Sequence, residues 1–222
     1  MENNDESSYE KLGCGMILLK RYISLSDQVE IVNICQQLGF HVNGFKECIP
    51  SGEKLGLQMM MLGSTWYPPS CYPDSIKPLT VPRKIISLVS SSIQDSQRHL
   101  NLKDKISSKC SNHCVVKFYT NTDGLALHEE RDDKSWYRFR RKGRPVVSMF
   151  IGDSAEFFYS DARNLSKVDN ILLESGDVLI FDNNSGDIFH GLHKIIPNSA
   201  PLPFLRKSML KPGLLNLSFR RF

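Results

Sequence analysis

Two histidines and a glutamate are the residues of this sequence whose types and spacing could do chemistry. His128 and Glu130 stand one residue apart in the strand-like segment LALHEE, and His190 follows in IFHGLHKI. Alternate residues of a strand point to the same side, so His128 and Glu130 can present a nitrogen and an oxygen to one point. Two imidazoles and one carboxylate are the ligand set of non-haem Fe(II) oxygenases. Because so short a pattern also arises by chance, this interpretation depends on the rest of the chain.

Two more residues could hold an organic cosubstrate beside such a metal. Tyr119 lies nine residues before His128 at the end of the segment HCVVKFY, and Arg220 ends the segment NLSFR. A guanidinium pairs with a carboxylate through two parallel hydrogen bonds, and a phenol can donate another. An open Fe(II) site beside a dicarboxylate pocket would be that of a 2-oxoglutarate oxygenase. Both residues also have a structural interpretation, in which the tyrosine packs on a half-buried strand and the arginine lies in solvent.

The elements that must position these side chains change character near residue 113. Before it, residues 26–40 and 82–96 have apolar residues at helical spacing. Ser26 or Asp27 is expected to cap the first helix. After it, short apolar runs bounded by turn residues predict eight strands: HCVVKFY, LALHEE, PVVSMFIG, AEFFYS, NILLES, DVLIFD, IFHGLHKI and LLNLSFRRF.

This order of elements predicts an α+β protein whose double-sheet core is closed like a jelly roll. Residues 1–11 are polar and acidic, so we expect a flexible tail there and a single domain over residues 12–222. The chain is long enough to bury a large core without disulfides. It contains no run of about 18 apolar residues, so we expect no membrane partner.

Positive charge is concentrated in one run, although the net charge is only +4. Residues 134–144, KSWYRFRRKGR, carry six bases and no acid, and three aromatic residues lie among them. Cations bind phosphate and aromatic rings stack on bases, so the run favours a nucleic-acid contact. The ordinary alternative for a charge run is a solvated loop.

The cysteines and the N-terminus bear on the cellular compartment. Six cysteines show no framework spacing and the first residues lack the pattern of a signal peptide, so we expect reduced thiols in the cytoplasm or the nucleus. The segment Cys110-Ser-Asn-His113-Cys114 could supply half of a zinc site, but the sequence has no second cluster to complete four ligands. Ordinary thiols are therefore the better interpretation. We expect the chain to be a monomer.

From about residue 54 to residue 222 the sequence resembles the AlkB-like branch of Fe(II)/2-oxoglutarate-dependent dioxygenases, especially its plant members. Seven stretches carry the resemblance in order: LQMMMLGSTWYPP, FYTNTDGLALHEERDD, PVVSMFIGDSAEFFY, LLESGDVLIF, IFHG, IIPNSAP and GLLNLSFRRF. The resemblance implies a double-stranded β-helix with the N-terminal helices packed on one sheet. It also implies Fe(II) and 2-oxoglutarate as cofactors and oxidative demethylation of N-alkylated bases in DNA or RNA.

The resemblance further implies a role for each matching residue. One group would bind the metal: His128, Glu130 and His190. A second would hold 2-oxoglutarate: Tyr119, Asn216 and Arg220. A third would contact the target base: Trp66, by stacking, and Asp132. Three consecutive methionines would line the nucleotide lid, unless they form a core strand: Met59, Met60 and Met61.

The sequence departs from the family pattern around this site. The metal carboxylate, usually an aspartate, is Glu130, whose extra methylene moves an oxygen by about 1.3–1.5 Å. Leu214 replaces the first arginine of the C-terminal motif, and Lys117 replaces an asparagine. Lys117 and Tyr119 are two residues apart on one strand, so their side chains point to the same side. Lys117 could therefore supply the missing positive charge to 2-oxoglutarate.

Three functions follow from these patterns. The first is an active demethylase of methylated DNA or RNA, in which residues 134–144 bind phosphate without reading sequence. The second is a degenerate relative that binds nucleic acid without turnover, as the departures at Glu130, Leu214 and Lys117 suggest. The third is an oxygenase that acts on protein or on a small molecule.

Overall fold

The computed structural model describes residues 8–47, 56–63, 78–101, 113–120, 145–161, 168–181 and 188–219. Within these ranges the chain forms three helices: α1 (Leu25–Gly39), α2 (Arg83–His99) and α3 (Leu202–Lys207). It also forms eleven strands: β1 (Ser8–Lys11), β2 (Met16–Lys20), β3 (Lys46–Glu47), β4 (Leu57–Leu62), β5 (Cys114–Tyr119), β6 (Val146–Gly152), β7 (Ser154–Asp161), β8 (Asp169–Leu173), β9 (Val178–Phe181), β10 (Ile188–Ile196) and β11 (Leu214–Phe219). None of the helices in these ranges is long and apolar enough to cross a membrane.

The strands form two antiparallel sheets. The large sheet has the order β1-β2-β9-β6-β11-β5-β4-β3, and the small sheet has the order β10-β7-β8. One apolar cluster joins them, because it contains Tyr119 and Phe150 of the large sheet together with Phe157 and Ile195 of the small sheet. Two antiparallel sheets that face each other across such a core confirm the predicted jelly roll.

The helices pack on the other face of the large sheet. Ile85, Val89 and Ile93 recur every fourth residue along α2 and are fully buried. They share a second apolar cluster with Val116 of β5 and Leu217 of β11. The predicted placement of the N-terminal helices on one sheet is therefore confirmed.

Helix α1 begins earlier than the sequence predicts. Its N-cap is Ser24, whose Oγ accepts a hydrogen bond from the Asp27 backbone N–H at 3.2 Å. The prediction that Ser26 or Asp27 caps this helix is therefore wrong. Leu25 explains the difference, because it packs against the helix–sheet core as the first helical residue.

The predicted flexible tail is wrong for its last four residues. Ser8–Lys11 form β1, which pairs with β2 in the register Tyr9–Leu19. The Tyr9 ring also stacks on His99 of α2 at 4.1 Å between ring centroids. Because β1 is an edge strand that is mostly exposed, its composition is polar like that of a tail. The first seven residues lie outside the described ranges, and the single domain stays a prediction.

A buried carboxylate ties the end of β2 to the turn between β8 and β9. The Asp177 side chain is fully buried and accepts hydrogen bonds from Lys20 Nζ at 2.6 Å and from the Arg21 backbone N–H at 2.9 Å. Lys20 also donates to Glu174 at 2.8 Å. Burial opposes the charge of Lys20, but the two carboxylates outweigh burial and raise the pKa of Lys20. The hydrogen bond from Lys20 in turn lowers the pKa of Glu174.

Candidate active site between the two sheets

Four residues of β5 and β11 form the part of the site that the structure describes best. Tyr119 lies directly opposite Leu214, and Lys117 lies directly opposite Asn216. Tyr119 and Leu214 both belong to the cluster between the sheets. Since alternate residues of a strand share a face, Lys117 and Asn216 face the same space.

The polar groups of this face differ in how they are held. Tyr119 and Asn216 are buried, whereas Lys117 is half-buried. Asn216 Nδ2 donates to the backbone carbonyl of Met149 at 3.0 Å, which fixes the amide against β6. An amide nitrogen carries a second hydrogen that can be donated elsewhere. A cation, a phenol and an amide on one enclosed face form a donor set that suits a dicarboxylate.

Leu214 occupies the position where the sequence resemblance leads us to expect an arginine. It is 1% exposed and packs in the apolar cluster between the sheets. This position therefore supplies no positive charge. Lys117 is its diagonal neighbour across the β5–β11 pair, at a separation typical of about 7–8 Å, so a lysine side chain can reach the same region.

Two glycines let the strands close at this end of the site. Gly213 has a φ of 141°, and a β-carbon there would collide with the Tyr119 carbonyl oxygen. Gly152 has a φ of 105°, and a β-carbon there would lie 2.5 Å from the Gly213 carbonyl oxygen. Residues with side chains rarely adopt such angles, so both positions favour glycine. The close approach places Leu214 beside Tyr119.

His190 faces the same space from the small sheet. It lies directly opposite Tyr159 on β7, and its ring is 4.7 Å from Phe181 and 5.8 Å from Phe157 between centroids. Phe157, Tyr159 and Phe181 belong to the cluster between the sheets, and His190 is exposed at its margin. The imidazole therefore lies where a metal could be reached from solvent. The sequence patterns did not identify the two phenylalanines, because they come from different sheets.

The methionine run is a core strand. Met60 lies in the helix–sheet core, fully buried, so it cannot line a nucleotide lid. Met59 lies directly opposite Lys117 and is buried. Lid lining by all three methionines is therefore wrong, and the alternative of a core strand is confirmed.

Several predicted site residues lie outside the described residues: Trp66, His128, Glu130, Asp132 and Arg220. The basic run 134–144 lies outside them as well. Among the residues that the structure does describe, no three histidine, cysteine, aspartate or glutamate side chains converge on a metal site. The metal ligand set therefore remains a prediction from the sequence.

Comparison with known proteins identifies the family. The profile of the 2OG-Fe(II) oxygenase superfamily matches residues 15–220. A solved structure of OsALKBH1 superimposes with a TM-score of 0.80 at 39% identity, covering 96% of this chain and 100% of that chain. The chain belongs to the 2OG-Fe(II) oxygenase superfamily, in its AlkB-like branch.

Two curated plant proteins are similar to this AlkB-like chain over most of its length. The DNA N(6)-methyladenine demethylase ALKBH1C of Arabidopsis thaliana is 39% identical over 94% of the chain and 48% of its own length. The DNA N(6)-methyladenine demethylase ALKBH1D of the same plant is 41% identical over 94% of the chain and 49% of its own length. The chain thus spans about half the length of the curated relatives it matches.

Membership of this superfamily implies Fe(II) and 2-oxoglutarate as cofactors. The residues around the inner space fit such a pair. Lys117, Tyr119 and Asn216 offer the donors that a dicarboxylate needs. His190 offers an imidazole, a ligand that suits iron, on the opposite wall. At Leu214 an apolar, buried side chain stands where the sequence resemblance leads us to expect a cation.

Proposed function

We propose that this chain is an Fe(II)- and 2-oxoglutarate-dependent enzyme that oxidatively demethylates N-alkylated bases in nucleic acid. The observation that carries the proposal is the arrangement of Lys117, Tyr119 and Asn216 on one inner face, with His190 on the facing sheet. The family supplies the reaction class. The names of the similar Arabidopsis proteins supply the substrate class.

Iron, when bound, supplies the chemistry that couples dioxygen to 2-oxoglutarate and to an N-methyl group. In the overall reaction 2-oxoglutarate would be converted to succinate and carbon dioxide while the N-methyl group would be oxidised to a hydroxymethyl group, with one atom of dioxygen in succinate and one in the hydroxymethyl group. The hydroxymethyl group then leaves as formaldehyde and restores the N–H of the base. Succinate, carbon dioxide and formaldehyde are therefore expected in equal amounts.

The residues of the chain would bind and orient the reactants. Tyr119 would donate its hydroxyl to a carboxylate of 2-oxoglutarate, and Lys117 would place a positive charge beside it. Lysine acts as a point charge, without the planar fork of an arginine, so we expect weaker but sufficient binding. His128, Glu130 and His190 would bind the metal. Three residues that would bind the cofactors lie outside the described residues: His128, Glu130 and Arg220, the last of which is a second predicted partner for a carboxylate of 2-oxoglutarate.

The target base must leave its helix before it can be oxidised, because the methylated nitrogen is hidden in a duplex. Trp66 would stack on the unpaired base and Asp132 would contact it. The basic run 134–144 would bind phosphate, which positions the strand but carries no sequence information. The names of the Arabidopsis relatives make N6-methyladenine in DNA the first substrate to test. The tRNA demethylase abh1 of Schizosaccharomyces pombe, 27% identical over 59% of the chain, makes methylated tRNA the second.

One experiment tests the proposal in two steps. The full chain is titrated with Fe(II) without oxygen, and oxygen-dependent succinate and formaldehyde formation is then measured with methylated oligonucleotides. We expect saturable metal binding, with equal amounts of succinate and formaldehyde when the oligonucleotide is methylated. Succinate without formaldehyde would point to an oxygenase with another kind of substrate. An unmethylated oligonucleotide of the same sequence is the control.

A second candidate function is binding of nucleic acid without turnover. It is favoured by the burial of Leu214, which leaves the position of the family's arginine without a cation. This candidate predicts metal and oligonucleotide binding without any succinate. The same two-step experiment therefore separates the two functions.

A further inference from the structure

The outer face of the small sheet carries a group of side chains that the active site does not use. Phe158 lies on β7 between two residues whose side chains point inward, Phe157 and Tyr159. Its own side chain therefore points outward, away from the cluster between the sheets. On the flanking strands, Gly191 and Asn170 lie directly opposite Phe158.

An aromatic pair stands at the centre of this face. The rings of Phe158 and His193 are stacked, 4.4 Å apart between centroids and 26° from parallel. His193 is exposed and Phe158 is half-buried. Gly191 has no side chain to cover the ring beside it, and a β-carbon there would meet no described atom within 4 Å. Among the residues that the structure describes, none covers the aromatic surface on the side of Gly191.

Polar groups surround the aromatic pair. Asn170 is exposed on one side, and its amide can both donate and accept hydrogen bonds. Lys194 is exposed on the other side, opposite Glu156. Leu172, opposite Glu156 on β8, is 45% exposed and widens the apolar part of the face.

We propose that this outer face binds an unpaired nucleobase of a single-stranded nucleic acid, by stacking on Phe158 and His193. Antiparallel sheets with exposed aromatic residues bind single strands in this way, because every base has a face that can stack. Asn170 provides hydrogen bonds to a base edge, and Lys194 provides a charge for phosphate. A flat base fits in the space beside Gly191, where a β-carbon would meet no described atom within 4 Å.

The outer platform formed by Phe158, Gly191 and His193 lies on β7 and β10, and β10 also carries His190 of the active site on its other face. His190 and His193 lie three residues apart on β10, about 10 Å along a strand, and their side chains face opposite sides of the small sheet. A strand whose methylated base enters the site could therefore place a neighbouring base on the platform. This inference rests on the proposed function, because it makes the platform a second contact for the same nucleic acid.

The test uses the full chain and single-stranded oligonucleotides that contain 2-aminopurine, a base whose fluorescence falls when it stacks. Three variants address the platform: Phe158→Leu keeps an apolar side chain but removes its ring, His193→Ala removes the other ring, and Gly191→Val fills the open space. Valine suits a strand, so Gly191→Val is expected to fold. Met209→Ser, at an 80% exposed position outside the small sheet, is the control. An oligonucleotide with abasic sites beside the methylated nucleotide completes the set.

We expect each platform variant to weaken binding of the intact oligonucleotide by about fivefold or more and to abolish the fluorescence quenching. The abasic oligonucleotide should bind all proteins equally, and the control should behave like the parent. Equal weakening for intact and abasic oligonucleotides would overturn the proposal, as would unchanged binding. Dimer formation by the parent that Gly191→Val abolishes would also overturn it, because a second copy would then occupy the face.

The outcome is separable from that of the proposed function. If the parent produces formaldehyde and the platform variants bind the oligonucleotide as tightly as the parent, only the platform would be refuted. If the parent makes no succinate but quenches 2-aminopurine, and the platform variants lose that quenching, demethylation would be refuted and the platform supported. Turnover of a single methylated nucleoside should be the same in the parent and in His193→Ala, since such a substrate is too short to reach both faces.

Discussion

Lys117 lies directly opposite Asn216 across the β5–β11 pair, on the face that also bears Tyr119. The row continues through Met59 to Lys46 on β3. Lys117 is thus one strand away from the amide that is fixed against Met149, while Lys46 is two strands further out. This arrangement makes Lys117 the cation best placed, among the described residues of the row, to act on a ligand held by Asn216 and Tyr119.

The first prediction follows from that position. Lys117→Ala should remove measurable 2-oxoglutarate binding, because a buried carboxylate would then lack a cation and Leu214 cannot supply one. Lys46→Ala, in the same row but further away, is the matched control and should bind like the parent. Isothermal titration with 2-oxoglutarate in the presence of a redox-inert divalent metal measures both.

Equal binding by Lys117→Ala and the parent would show that Lys117 does not compensate for the missing arginine. A parent that fails to bind, rescued by Leu214→Arg together with Lys117→Asn, would instead identify a site that lost its cosubstrate through these two substitutions.

The sequence predicts which residues alternate along a strand, but not which residues meet across strands. Period-two alternation places Lys117 on the same face of its strand as Tyr119, and Asn216 on the same face as Leu214. The Lys117–Asn216 register depends on how β5 and β11 are shifted against each other, which local sequence does not encode. Likewise, the contact between His190 and Phe181 joins residues of two sheets and requires the closed jelly roll. Edge strand β1 was missed for a different reason, since exposed edge residues have the composition of a loop.

The second prediction concerns the length of the metal carboxylate. Glu130→Asp should retain or improve metal binding, because it restores the ligand length usual in the family, whereas Glu130→Ala should weaken it strongly. Anaerobic titration with Fe(II) measures the affinity of each variant. If Glu130→Ala binds the metal as tightly as the parent, Glu130 is not a ligand.

The third prediction concerns the basic run 134–144. Replacing Arg138, Arg140 and Arg141 with glutamine should weaken oligonucleotide binding and reduce its salt dependence. The slope of log affinity against log salt should fall by about 0.9 for each lost contact with duplex DNA, or about 0.7 for a single strand. Fluorescence anisotropy at several salt concentrations measures the slope. An unchanged slope would assign the run to a solvated loop.

The fourth prediction compares two lysines that make ion pairs in different surroundings. Lys20→Met leaves the fully buried Asp177 carboxylate without its cation and should lower the free energy of unfolding by about 3 kcal/mol. Lys84→Met removes an ion pair with Asp27 in which both partners are partly exposed, so the free energy of unfolding should barely change. Urea denaturation monitored by circular dichroism measures both. Similar losses in the free energy of unfolding for the two variants would contradict the prediction that burial of the Asp177 carboxylate makes its ion pair the more important one.

The fifth prediction is the pH dependence that Glu174 contributes to stability. Its pKa is lowered below the ordinary 4.5, chiefly by the hydrogen bond from Lys20, with burial acting in the opposite direction. The unfolded chain therefore binds a proton at a higher pH than the folded chain, so stability rises with pH through this range. The contribution should be complete above pH 4.5 and should be lost as the pH falls through the lower, folded value.

Denaturation of the parent and of Glu174→Gln between about pH 6 and pH 3 checks this dependence, because the variant cannot titrate at this position. The parent should be the more stable protein near pH 6, and the difference should shrink as the pH falls. In the Lys20→Met background the difference should be small at every pH, because the hydrogen bond that lowers the Glu174 pKa is then absent. A difference that persists unchanged down to about pH 3, or that survives in the Lys20→Met background, would show that Glu174 stabilises the turn by a route other than its ion pair with Lys20.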